Sequence, residues 1–121
     1  MATTAKGMYH PYAHHRGLTV GSFKVTADAV PTVTDDPGGI VLSVEKPAMT
    51  TGEYLVTLKR NYSRIHAVCN NDQLALSCRA ETIVAGGTQA NTILLTISDA
   101  AGMADDGTGS IQTVAFFGYD S

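Results

Sequence analysis

Three histidines stand close together near the start of the chain, His10, His14 and His15. Imidazole is the commonest protein metal ligand, and short spacing can bring two ring nitrogens to one ion. Nothing nearby completes a shell, because Cys69 and Cys78 lie far along the chain, inside apolar alternation. The histidines therefore read as contact residues rather than a metal centre. Asp99, Asp105 and Asp106, and the pair Asp35 and Asp36, suggest cation loops. The alternating oxygens and distal Glu of a calcium loop are missing, so turn formation and capping is their expected use. If a divalent ion binds anywhere, the 105 to 106 loop is the place.

Ser, His and Asp are plentiful, yet no GxSxG elbow, HExxH pair or glycine-rich phosphate loop occurs. His66 stands opposite in phase to Ile65 and Ala67, with no carboxylate at short range to orient it as a base. The chain reads as a binding module: not an enzyme, with no cofactor and no small-molecule substrate. A small metal-dependent hydrolase is the contrary reading. It requires stoichiometric zinc that is lost when His10 and His14 are replaced.

The elements around these residues follow a two-residue rhythm. In Gly52 to Tyr62, Tyr54, Val56 and Leu58 face one way while Leu55, Thr57 and Lys59 face the other, which is the pattern of a half-buried strand. The same alternation places Ile40, Leu42 and Val44 inward, then Ile65, Ala67 and Cys69, then Leu74, Leu76, Cys78 and Ala80, then Ile93, Leu95 and Ile97. A first strand covers Leu18 to Ala27, with a bulge at Gly21 and Ser22 to explain a change of apolar phase. A final strand covers Ser110 to Tyr119, where Phe116 and Phe117 suggest burial on both faces. Core packing is expected of all three phenylalanines, and interface use of Tyr54, Tyr62 and Tyr119.

Residues 31–39, PTVTDDPGG, have loop composition. Asn70, Asn71 and Asp72 suggest a tight turn that puts both cysteines on one side of a hairpin. The pair flanking Pro47 to Gly52 makes a second hairpin. The fold class is all-β: a single antiparallel β-sandwich or barrel of about seven strands over residues 18–121, preceded by an extended N-terminal arm at residues 1–17. Tyr9, Tyr12 and Met8 give the arm apolar anchors.

The totals agree with a single body. A chain of 121 residues is expected to remove roughly 12,000 Å² from water on folding, enough for one core. Only 16% of residues are charged, against about 25% in an average domain, so the surface suits contact with other chains. A net charge of −3 offers no footprint for nucleic acid, and no stretch of about eighteen apolar residues offers a membrane span. The start lacks a secretory signal, so synthesis in a cytoplasm is expected. There Cys69 and Cys78 read as unpaired core-facing residues.

Three segments carry a resemblance: GLTVGSFKVT from Gly17, GEYLVTLKRNYSRI from Gly52, and TILLTISDAAGMADD from Thr92 leading into Val114-Ala-Phe-Phe. Together they resemble the small β-rich virion proteins of tailed bacteriophages, a group that includes capsid decoration (cement) proteins. The resemblance implies a homotrimer on the outer capsid surface, synthesised in the host cytoplasm, that stabilises contacts between major capsid protein subunits. Tyr9, His10, Tyr12, His14, His15 and Arg16 are then the capsid-facing residues. A tail or fibre component that contacts a host receptor is the rival reading.

Overall fold

A computed structural model describes residues 18–84 and 90–119, with the side chains of residues 83, 84 and 90 left aside. Eight strands form two four-stranded antiparallel sheets packed face to face. The first sheet has the order β2-β1-β8-β5 and comprises β1 (Leu18–Thr26), β2 (Thr32–Asp35), β5 (Arg64–Asn71) and β8 (Ile111–Tyr119). The second has the order β3-β4-β7-β6 and comprises β3 (Val41–Glu45), β4 (Glu53–Tyr62), β6 (Ser77–Val84) and β7 (Ala90–Ser98). The all-β sandwich read from the alternation is the fold.

The core lies between the inner faces, filled by Phe23, Val25, Tyr54, Val56, Leu58, Tyr62, Ile93, Leu95, Ile97, Val114 and Phe116. Each comes from one phase of its strand, as the pleat requires. Phe23 and Tyr62 both tilt against Phe116, with centroids 6.4 and 6.0 Å away. Gly118 lies in the inward phase beneath Tyr62, where a Cβ would come within 2.6 Å of the ring. Tyr54 and Tyr62 are thus core residues, contrary to the interface use expected of them.

Several other expectations are corrected by register. Between β1 and β8 the pairing runs unbroken from Leu18↔Tyr119 to Thr26↔Ile111, so no bulge interrupts β8's partner at Gly21 and Ser22. The apolar phase changes because Gly21 takes an inward position that Phe116 and Ile40 already fill, leaving Val20 outside. Leu42 falls at a register shift between Val41 and Ser43 and is exposed. The segment expected to be a loop contains β2, a short edge strand. Leu74 sits in a turn before β6 and is exposed.

Cys69 and Cys78 form a disulfide, which corrects the unpaired reading. No hairpin joins their strands: β5 lies at the edge of one sheet and β6 at the edge of the other. Asn70 and Asn71 belong to β5, and the chain crosses between sheets after them. The bond therefore staples one margin of the sandwich, beside a hydrogen bond from Thr82 Oγ1 to the Ile65 carbonyl at 3.0 Å.

Candidate interaction surface

Alternation that sends Phe23, Val114 and Ile65 into the core sends the intervening residues outward, and register aligns them in rows. Leu18 lies opposite Tyr119, and Tyr119 opposite Arg64. Val20, Phe117 and His66 form the next row, and Ser22, Ala115 and Val68 the one after. Val20 is 51% exposed, Phe117 41% and Val68 67%. An outer antiparallel face is ordinarily polar, so adjacent exposed apolar side chains on three strands indicate a surface suited to another molecule.

Its polar groups lie at the margins. The Arg64 guanidinium sits 4.3 Å from the centre of the Tyr119 ring, and His66 meets that ring edge-on at 5.6 Å. Cation–π and edge contacts of this kind hold side chains in place at a partly exposed site. Lys24 lies farther along the same outward phase, opposite Thr113. Lys24 in turn lies opposite Asp35, while the three rows from Leu18 to Val68 hold no acid, so those rows suit an apolar partner surface. Two grooves meet at Ala115: one of about 370 Å³ beside Val20, Ser22 and Ile40, and one of about 340 Å³ beside His66, Val68 and Phe117.

The loops at the far end of the sandwich brace it. Asp106 Oδ1 accepts hydrogen bonds from the Gly52 amide at 2.7 Å and Lys46 Nζ at 2.8 Å. The Lys46 bond, then the amide, hold the Asp106 carboxyl below its usual range. Tyr54 donates its hydroxyl to the Asp106 carbonyl at 2.6 Å, and burial, with the neighbouring Asp106 charge, pushes its phenol up to about 12. Buried Asn71 donates to Ser110 Oγ at 3.0 Å and to Gln112 Oε1, satisfying polar groups inside the core's end.

Of the acids first weighed as cation ligands, Asp36, Asp99 and Asp105 cap backbone amides. Asp99 Oδ1 accepts from the Ala101 and Met103 amides, Asp105 Oδ1 from Gly107, and the Asp36 carboxylate from Ile40 and Val41. Among the described residues no three His, Cys, Asp or Glu side chains converge as metal ligands would. His66 is exposed on the outer phase of its strand.

Tyr9, His10, Tyr12, His14, His15 and Arg16, the contact residues expected from sequence, lie outside the described residues. Val20, Val68 and Phe117 were missed. One signal did point to Phe117: in a strand of period two, consecutive Phe116 and Phe117 cannot both face the same core. Phe116 is buried and Phe117 is not, which corrects its assignment to core packing. Comparison with known proteins finds no family model, no curated protein and no solved structure that matches the chain.

Proposed function

We propose that this chain is a structural virion protein of the capsid decoration type, which binds major capsid protein subunits and stabilises their contacts. The observation that carries the reading is the outer face of β1, β8 and β5, where Val20, Phe117 and Val68 stand exposed. Burying such a face removes apolar area from water, at about 25 cal/mol per Å² before the costs of association. A modest contact repeated over many lattice positions becomes decisive through avidity. The arm residues Tyr9, His10, Tyr12, His14, His15 and Arg16 add a second point of contact, and a homotrimer would present three such surfaces. The Cys69–Cys78 disulfide supports a working place outside a reducing cytoplasm, as on a released particle.

The test is binding to expanded, empty capsids. The protein should bind at saturable stoichiometry, and Phe117→Lys should weaken binding about 30-fold or more while leaving its thermal transition in place. Binding that Phe117→Lys leaves unchanged, or binding to host cells in place of capsids, would overturn the reading.

A further inference from the structure

Four connections meet at one end of the sandwich: residues 27–31 after β1, 46–52 after β3, 72–76 after β5 and 99–110 after β7. Backbone hydrogen bonds tie them to one another and to the strand ends. Gly109 N donates to the Ala27 carbonyl at 2.8 Å, Asp72 N to Ile111 at 3.0 Å, and Ile97 N to Gly52 at 2.8 Å. Each connection holds one large apolar side chain in water: Val30, Met49, Leu74 and Met103, of which Met49 and Leu74 are fully exposed. Among the described residues the connections at the opposite end, residues 36–40 and Ser63, expose none. A single exposed apolar residue is ordinary, but one on every loop of the same end is the arrangement of a binding surface.

The tips stand on fixed backbone. Met103 is tied to Asp99 through both its amide and its carbonyl. Thr50 Oγ1 donates to the Pro47 carbonyl at 2.8 Å and Lys46 Nζ to the Thr50 carbonyl at 2.9 Å, which holds the turn of Met49. The disulfide closes a ring around Leu74. Side chains presented in this way lose less freedom when a partner covers them. Met49 adds a separate sign: glycines aside, it is the one described residue at positive φ, 62°. A long side chain is disfavoured there, and its full exposure means that packing within the fold does not compensate. Strain kept without internal packing points to use by another molecule.

Charge at this end selects the partner. The four connections contain Asp28, Asp72, Asp99, Asp105 and Asp106 against a single cation, Lys46. Lys46 is turned inward, paired with Asp106 at 2.8 Å and 5.0 Å from the centre of the Tyr54 ring. The surface between the tips is therefore negative. We propose that this end is a docking site for a basic segment of another protein, whose apolar side chains cover Met49, Leu74 and Met103 and whose lysines or arginines meet the aspartates. Opposite charge steers and orients such a segment. The same charge opposes an anionic bilayer, nucleic acid or the loop end of a second copy. None of these residues belongs to the outer face of β1, β8 and β5, so the site is independent of the decoration reading.

Selection of a random peptide library on the immobilised full chain tests it. Recovered peptides should combine Lys or Arg with apolar residues. Their synthetic copies, titrated into protein with isotope-labelled methionine methyl groups, should shift the Met49 and Met103 signals. Glycine takes a positive φ without strain, so Met49→Gly should keep the thermal transition. Met49→Gly combined with Leu74→Ser should weaken peptide binding about tenfold or more, and Leu94→Lys should leave it unchanged. The absence of any recovered binder, binders that lack Lys and Arg, or an affinity untouched by the double variant would overturn the proposal. So would binding to phosphatidylcholine vesicles, or self-association, that the double variant removes, because these assign the tips to a membrane or to a second copy. Peptide binding is read without capsids, so its failure and that of the decoration reading are distinguished.

Discussion

The two outer faces of the sandwich obey the same alternation and present opposite chemistry. Outside β1, β8 and β5 stand Val20, Phe117, Ala115 and Val68, with cations at the margins. Outside β4 and β7 stand Thr57, Thr92 and Thr96, and the apolar pair Leu55 and Leu94 is flanked in register by Glu45 and Glu81. Arg79 forms an ion pair with Glu81 at 2.7 Å. Charged side chains beside an apolar pair discourage association, because burying them without partners is costly. On the first face Lys24, Asp35 and Arg64 stand in the outermost rows, and none of them is paired in register with Val20, Phe117 or Val68. The pleat decides which residues face out; the composition of the outward phase decides whether another molecule is welcome.

The largest test of this contrast is the staple that holds the two sheets in one shape. Cys78→Ser should cost about 2–3 kcal/mol in denaturant unfolding, the loop-closure value for a short ring, and reductant should reproduce the loss in the unaltered chain. If the apolar face depends on that shape, partner affinity should fall along with stability. Next comes the face itself. Phe117→Lys should weaken partner binding about 30-fold or more, the scale of a central aromatic anchor, with stability changed by no more than about 0.5 kcal/mol. Leu94→Lys on the opposite face should leave binding unchanged. Equal effects from the two lysines would erase the distinction between the faces.

A smaller effect concerns the loops that brace the far end. Asp106 has a lowered carboxyl pKa, so the folded state favours its charged form. That contribution is present above the unfolded carboxylate value of about 4 and is lost as pH falls through the folded value. Asp106→Asn should lose stability at neutral pH and show a flatter acid limb in unfolding measured from pH 5 downward. Tyr54 behaves in the opposite sense. With its phenol pushed up to about 12, stability is complete below about pH 10 and declines above it as the unfolded chain ionises. Tyr54→Phe should flatten that alkaline limb. The smallest expected change is Thr92→Val on the second outer face, within about 0.5 kcal/mol by thermal unfolding.

Much of the fold was legible because strands covered on one side write their phase plainly. Tyr54, Val56 and Leu58 alternate with threonine and lysine, and Ile93, Leu95 and Ile97 with threonine, so inward and outward sets separate without a structure. The strand β2 was hidden because four exposed residues between prolines bury nothing that alternation could record. Leu42 was misplaced because a single extra residue in a strand reverses every later side chain, and nothing in the local composition marks it. The crossing from β5 to β6 was read as a hairpin because Asn70, Asn71 and Asp72 are turn formers. Asn71 is instead held in the core's end by Ser110 and Gln112, partners about forty residues away. The disulfide follows from that crossing: only strands at the margins of opposite sheets bring the two sulfurs together there. The candidate face was legible in part, through the Phe116-Phe117 pair, and otherwise obscured by the supposed bulge that drew Val20 inward.

The ring closed by Cys69 and Cys78 encloses the turn that carries fully exposed Leu74. A protease that cut the backbone at that leucine would open the turn without freeing either fragment, because the sulfur bridge still joins the pieces. The most accessible apolar side chain of the loop is thus also a place where a nick leaves the chain in one covalent piece.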